Sequence, residues 1–69
     1  MLLIFINNEE QIASYTCDAV PNNGEVVTIY HNNPGCKNYQ KVEEYKVYER
    51  EWIFNQSVKI TPIVKITVV

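Results

Sequence analysis

The feature that most constrains this chain is a series of short segments suited to β-strands, separated by clusters of Asn, Gly and Pro. Alternation of apolar and polar residues, or an unbroken run of β-branched and aromatic residues, is typical of a strand. Such segments occupy residues 1–6, 12–19, 26–30 and 58–68. The polar clusters between them hold residues that accept turn conformations. In a chain of 69 residues, this pattern predicts one small, mainly β domain spanning 1–69.

The last of these segments contains a proline. Pro62 interrupts an otherwise regular alternation, and its ring nitrogen donates no hydrogen bond to a neighbouring strand. We therefore expect a bend at Thr61-Pro62.

Residues 39–54 support two interpretations. From Tyr48 to Phe54, large residues recur at every second position, as in a strand. The aromatic and β-branched content favours a strand with a bulge near Val47-Tyr48, where two successive apolar residues break the alternation. The alternative is an α+β fold with a helix at about 39–52 packed on an antiparallel sheet, because helical intervals separate Tyr39, Val42, Tyr45, Tyr48 and Trp52.

Charge and cysteine usage narrow the function classes. Six basic residues against eight acidic ones give a formal charge of −2, so no bulk field attracts the protein to nucleic acid or anionic lipid. The apolar start of the chain has no basic flank and is too short to span a membrane. We expect a cytoplasmic protein in which Cys17 and Cys36 stay reduced, without a metal or other cofactor.

No constellation in the sequence predicts an enzyme. His31 and Cys36 lie in one loop, but no acidic residue close in sequence is placed to orient the imidazole. The remaining acidic candidates alternate with basic residues and are typical of a solvated strand face; they are Glu43, Glu44, Glu49 and Glu51.

The aromatic residues are the better functional signal. A core this small holds only a few large rings, so others must reach the surface, where aromatic and Arg side chains are common in interfaces. The predicted interface residues are Tyr30, Tyr39, Tyr45, Tyr48 and Arg50.

Three segments together resemble a known group of proteins. The first holds Pro21, Gly24 and Glu25 before a strand, the second runs from Tyr45 to Trp52, and the third covers 64–68. This outline resembles the small SH3-like β-barrel proteins of bacteriophages and prophages. The resemblance implies an all-β, SH3-like five-stranded antiparallel barrel made in the cytoplasm of a host bacterium.

The resulting hypothesis is a non-enzymatic phage or prophage accessory protein that binds a protein partner, such as a host or anti-phage defence component. One alternative is a barrel that binds single-stranded nucleic acid on exposed rings. Another is a virion or assembly component that pairs through its apolar ends, residues 1–6 and 64–69. A homodimer is compatible with each.

Overall fold

The computed structural model describes residues 1–32, 40–54 and 62–69. It contains five strands and, within those ranges, no helix. The all-β prediction is confirmed, and the alternative helix at about 39–52 is wrong. The strands are β1 (Leu2–Asn7), β2 (Glu10–Thr16), β3 (Val26–Asn32), β4 (Gln40–Ile53) and β5 (Ile63–Val68).

The strands form one sheet in the order β2-β1-β5-β4-β3, curled into a half-barrel. The β1–β2, β4–β5 and β3–β4 ladders are antiparallel, as the resemblance implies. The β1–β5 ladder is parallel, so the sheet is mixed at this one pair. β2 and β3 are the two edges of the sheet.

The hydrophobic core lies on the concave side of the sheet, called here the inner face. β5 is the central strand and contributes three of the most deeply buried side chains, which explains why its alternation is so regular. Neighbouring strands supply the rest of the core. Its members are Leu3, Phe5, Ile29, Val47, Val64, Ile66 and Val68.

The apolar ends of the chain are interior strands. β1 lies between β2 and β5, and β5 lies between β1 and β4. The prediction that residues 1–6 and 64–69 offer pairing edges is therefore wrong, because both stretches already have a strand on each side. Their apolar character serves the core instead.

A two-residue loop joins β1 to β2. Asn8 and Glu9 both have positive φ, 51° and 66°, the combination that characterises a type I′ turn. The turn expected at the polar cluster between the first two strand segments is confirmed. β2 ends at Thr16 rather than Ala19, because its ladder with β1 ends at the Leu2–Thr16 pair.

The turn before β3 depends on one glycine. The Glu25 amide donates to the Asn22 carbonyl at 3.1 Å, and Gly24 between them has φ of 90°. The Gly24 amide donates to the Val47 carbonyl, and the Val47 amide donates to the Glu25 carbonyl. Two residues thus stand opposite one, a β-bulge of the type that requires glycine in its first position.

A bulge in β4 explains why residues 39–54 allowed two interpretations. Its register with β5 shifts between Val47 and Glu49, which confirms the predicted bulge near Val47-Tyr48. Val47 pairs with Val68 before the bulge, and Arg50 pairs with Ile66 after it. Inner-face positions are therefore three residues apart at this point, which imitates helical spacing.

The predicted bend at Thr61-Pro62 falls partly outside the described residues. Pro62 itself lies directly before β5, and its carbonyl accepts a hydrogen bond from the Leu2 amide at 3.3 Å.

Candidate functional site

The β3–β4 hairpin extends beyond the rest of the sheet. β3 pairs with the first half of β4, from Val26–Lys46 to Asn32–Gln40. β5 pairs with the second half, beginning at Val47. Among the described residues, the first half of β4 therefore has a strand partner on one side only, apart from two hydrogen bonds between Lys46 and Val69.

The outer face of this hairpin is exposed and includes several apolar side chains. Ile29 belongs to the core, so the alternation of a strand directs Thr28 and Tyr30 to the opposite side of the sheet. Tyr30 is directly opposite Val42, and directly opposed residues share a face. We call the outer surface formed by Val26, Thr28, Tyr30, Val42, Glu44 and Lys46 the hairpin face.

The three apolar side chains of the hairpin face are each at least half exposed. Val26 is 64% exposed, Tyr30 59% and Val42 50%. Val69, which exchanges two backbone hydrogen bonds with Lys46, is 66% exposed beside them. Glu44 and Lys46 carry the only charges of this face as defined and cancel each other. The result is an electrically neutral surface with apolar and aromatic side chains.

The inner side of the same hairpin holds a polar cluster. The Tyr45 hydroxyl donates to one oxygen of Glu43, and the Lys41 ammonium contacts the other oxygen at 2.5 Å. His31 Nε2 lies 3.4 Å from the Tyr45 oxygen, and the two rings meet edge to face. Lys41, Glu43 and Tyr45 all lie on β4, and the contact between His31 and Tyr45 links β3 to β4.

Contacts within the cluster shift the pKa values of two of its members. The hydrogen bond from Lys41, followed by that from Tyr45, lowers the pKa of the Glu43 carboxyl below its usual 4.5. The bond to the Glu43 carboxylate, followed by burial, raises the pKa of the Tyr45 phenol above its usual 10.0. At neutral pH, Glu43 is therefore charged and Tyr45 is a neutral donor. Both shifts favour the hydrogen bond between Tyr45 and Glu43 within β4, and the cluster presents no activated nucleophile.

Arg50 and Tyr48 lie further along β4. The Arg50 guanidinium donates to the Asn22 side-chain oxygen at 3.2 Å, which connects the strand to the turn before β3. Arg50 is half-buried and pairs with core residue Ile66. Tyr48 occupies the bulge and is 66% exposed.

The five residues predicted from sequence as an interface do not form one surface. Tyr30 lies on the hairpin face, whereas Tyr45 and Arg50 lie on the inner face and bond to other residues of the chain. Tyr48 is exposed at the bulge, and Tyr39 lies outside the described residues. Of the four that are described, Tyr30 and Tyr48 have freely accessible rings.

Sequence reasoning did not identify Val26 and Val42 as surface residues. Both belong to segments of high β propensity, in which an aliphatic side chain is normally assigned to the core. The signal that reveals them is the hairpin register, because Val42 faces Tyr30 and Val26 lies on the same side of β3. That register becomes visible only when β3 and β4 are paired.

Two exposed aromatic residues lie at the end of β4, Trp52 within the strand and Phe54 directly after it. The rings of Trp52 and Phe54 are nearly parallel, at 9°, with centroids 6.2 Å apart. Cys17 is a free, half-buried thiol that packs against the core, and Cys36 lies outside the described residues. Within the described ranges, no group of three or more His, Cys, Asp or Glu side chains is arranged to hold a metal ion.

Comparisons with known proteins found no relative of this chain. No protein-family model, no curated protein and no solved structure matches the chain. Across residues 1–32, 40–54 and 62–69 there is also no helix of the length and apolarity needed to cross a membrane.

Proposed function

We propose that the chain is a protein-binding module that recognises its partner through the hairpin face. The observation that carries this proposal is the exposure of Tyr30 and Val42 as a directly opposed pair, 59% and 50% exposed. Large exposed apolar groups gathered on one surface are characteristic of interaction sites in soluble proteins. Tyr in particular buries a large area at low entropic cost when it enters an interface.

The charge of the hairpin favours a protein over a nucleic acid. A nucleic-acid site needs free cationic side chains along the phosphate backbone. Lys41 is paired with Glu43, Arg50 donates to Asn22, and Lys46 shares the hairpin face with Glu44. A partner that complements this surface presents apolar side chains surrounded by few charges, as the centre of a protein interface does.

The proposal is of a binding protein rather than an enzyme. Its phage or prophage setting, and a host or defence protein as the partner, stay predictions that rest on the resemblance of the turn and barrel segments described above.

The test compares two single substitutions of exposed residues. Val42→Glu introduces a charge into the hairpin face, whereas Ser14→Glu introduces the same charge on exposed β2, at the opposite edge of the sheet. Tagged wild-type chain is used to capture proteins from bacterial lysate, and the captured protein is then purified and titrated against all three chains. We expect Val42→Glu to weaken binding at least tenfold by disrupting apolar contact, and Ser14→Glu to leave the affinity unchanged.

Equal binding by Val42→Glu and wild type would contradict the proposal. A parallel titration with labelled single-stranded and double-stranded oligonucleotides tests the rival function. Tight oligonucleotide binding that falls steeply with added salt would replace the protein-binding proposal with a nucleic-acid one.

A further inference from the structure

From Val26 to Asn32, β3 is an edge strand without the features that normally prevent edge pairing, although a bulge and Glu25 lie directly before it. Natural edge strands are protected by charged side chains, by proline or by bulges. Val26–Asn32 contains no Lys, Arg, Asp, Glu or Pro, and its ladder with β4 has no register shift. The opposite edge, β2, differs on two counts: it begins with Glu10, and it has an irregularity opposite Phe5 and Ile6. The two edges are thus not equivalent.

The backbone groups available on β3 follow from the hydrogen bonds of β4. Val47 exchanges backbone bonds with the Gly24-Glu25 bulge, and Lys46 exchanges two with Val69 on the other side of the strand. Val47 is therefore directed towards β3 and Lys46 towards β5. Since this direction alternates along an antiparallel pair, the backbone groups of Val26, Thr28 and Tyr30 are directed away from β4. Among the described residues, no strand lies beside them.

We propose that these groups pair with β3 of a second copy of the chain, antiparallel about a two-fold axis at Ile29. This register places Thr28 of one copy opposite Tyr30 of the other, twice, and Ile29 opposite Ile29. The residues whose backbone groups are directed outwards then meet each other, as a hydrogen-bonded pair requires. The same strand thus supplies both sides of a closed, symmetric interface.

Charge supports a second copy as the occupant of this edge. β3 carries no Asp, Glu, Lys or Arg, so no two such charges are opposed across the new ladder. The nearest acidic pair on the inner face is Glu43 with its symmetry mate, three strand spacings apart. That distance is about 14 Å at roughly 4.8 Å per spacing, beyond the screening length of about 10 Å at 0.1 M salt. Each Glu43 is also paired with Lys41 within its own chain.

The dimer goes beyond the proposed binding function and has a consequence for it. Two five-stranded sheets would become one sheet of ten strands. The two hairpin faces would join, with each Tyr30 beside Thr28 of the other copy. The partner would then meet a continuous surface of twice the apolar area.

The experiment measures the mass of the full-length protein by sedimentation velocity over a wide concentration range. We expect a dimer that dissociates on dilution. Thr28→Lys places a charge on the β3 edge and should give a monomer at every concentration, as should Val26→Lys, which serves if Thr28→Lys proves poorly folded by circular dichroism. Ser14→Lys on the β2 edge is the matched control and should remain dimeric.

Cysteine cross-linking tests the register. In a Cys17→Ser, Cys36→Ser background, a mixture of Thr28→Cys and Tyr30→Cys chains should form a mixed disulfide, because opposed Cα atoms lie within disulfide range. Thr28→Cys alone should form none.

A wild-type chain that stays monomeric at the highest concentration, or loss of the dimer in Ser14→Lys, would overturn this inference. Cross-linking of Thr28→Cys to itself would overturn the axis at Ile29. The Val42→Glu chain keeps the two proposals separate: residue 42 lies on β4 rather than at the edge, so this variant should dimerise normally while losing its partner.

Discussion

At the scale of single residues, the turn before β3 shows how one backbone conformation supports several contacts. Gly24 has φ of 90°, a region where other residues are strained. Its amide donates to the Val47 carbonyl, the Val47 amide donates to the Glu25 carbonyl, and Asn22 in the same turn accepts a hydrogen bond from the Arg50 guanidinium. The start of the hairpin is therefore held to the middle of β4 by two backbone hydrogen bonds and one side-chain hydrogen bond.

Substitution of Gly24 tests this role. A Cβ at position 24 would meet no atom within 4 Å, so Gly24→Ala changes the backbone preference without a steric clash. We expect a loss of about 1–2 kcal/mol in the free energy of unfolding, the cost of a left-handed conformation for an L-residue. Urea denaturation measures it, with exposed Asn23→Ala as the control. Unchanged stability of Gly24→Ala would show that the turn adopts another conformation at little cost.

At the scale of elements, β5 forms the centre of the core, whereas β4 takes part in both the core and the exposed hairpin. β5 is enclosed between β1 and β4 and carries Val64 and Ile66 at 0% exposure. β4 is longer: its second half pairs with β5 and supplies Val47 to that core, while its first half forms the exposed hairpin. The bulge at Val47-Tyr48 marks the boundary between these two roles.

Two equal changes of size compare the centre of the sheet with its surface. Ile66→Val removes one methylene group from a fully buried side chain, and Ile53→Val removes the same group from one that is 39% exposed. We expect a loss of about 0.5–1.5 kcal/mol for Ile66→Val, since the core cannot refill the space. Ile53→Val should lose clearly less. Thermal or urea unfolding of both variants measures the difference, and equal losses would contradict the central position of β5.

At the scale of the whole molecule, the sheet is completed by pairing between strands that are far apart in sequence. β1 pairs with β5 from Leu2–Ile63 to Ile6–Thr67, so the two strands that form the middle of the sheet come from opposite ends of the chain. Among the described strands, β5 alone joins the local hairpins, β1–β2 and β3–β4, into one sheet. Folding therefore depends on contacts between residues far apart in sequence.

This topology predicts slow folding for so short a chain. The loop-closure entropy of the β1–β5 pairing must be overcome before its contacts form, and proteins dominated by such contacts fold in milliseconds to seconds. Stopped-flow refolding from urea, followed by Trp52 fluorescence, measures the rate. Refolding within microseconds would mean that the local hairpins, rather than β1–β5, limit the reaction.

Much of the fold could be predicted from the residues because local chemistry determines it. Alternation and β propensity located the strands, Asn8 and Gly24 marked turns that need positive φ, and the Val47-Tyr48 doublet marked the bulge. These features depend on neighbours within a few positions, so the chain encodes them directly. The sequence alone thus located the β-strands outside residues 39–52 approximately, and within 39–52 it favoured a strand over a helix.

Only the tertiary structure decided which strands are neighbours and which side chains remain exposed. Contacts across the whole chain produce the parallel β1–β5 pair and the interior position of both apolar ends. The local sequence pattern carries no information on these contacts. The candidate site depends on them as well. Tyr30 and Tyr45 look alike in sequence, but strand alternation and the hairpin register put one on the hairpin face and hold the other in the Glu43 cluster. Exposure is decided by what packs against each face of the sheet, and that is settled only when the strands assemble.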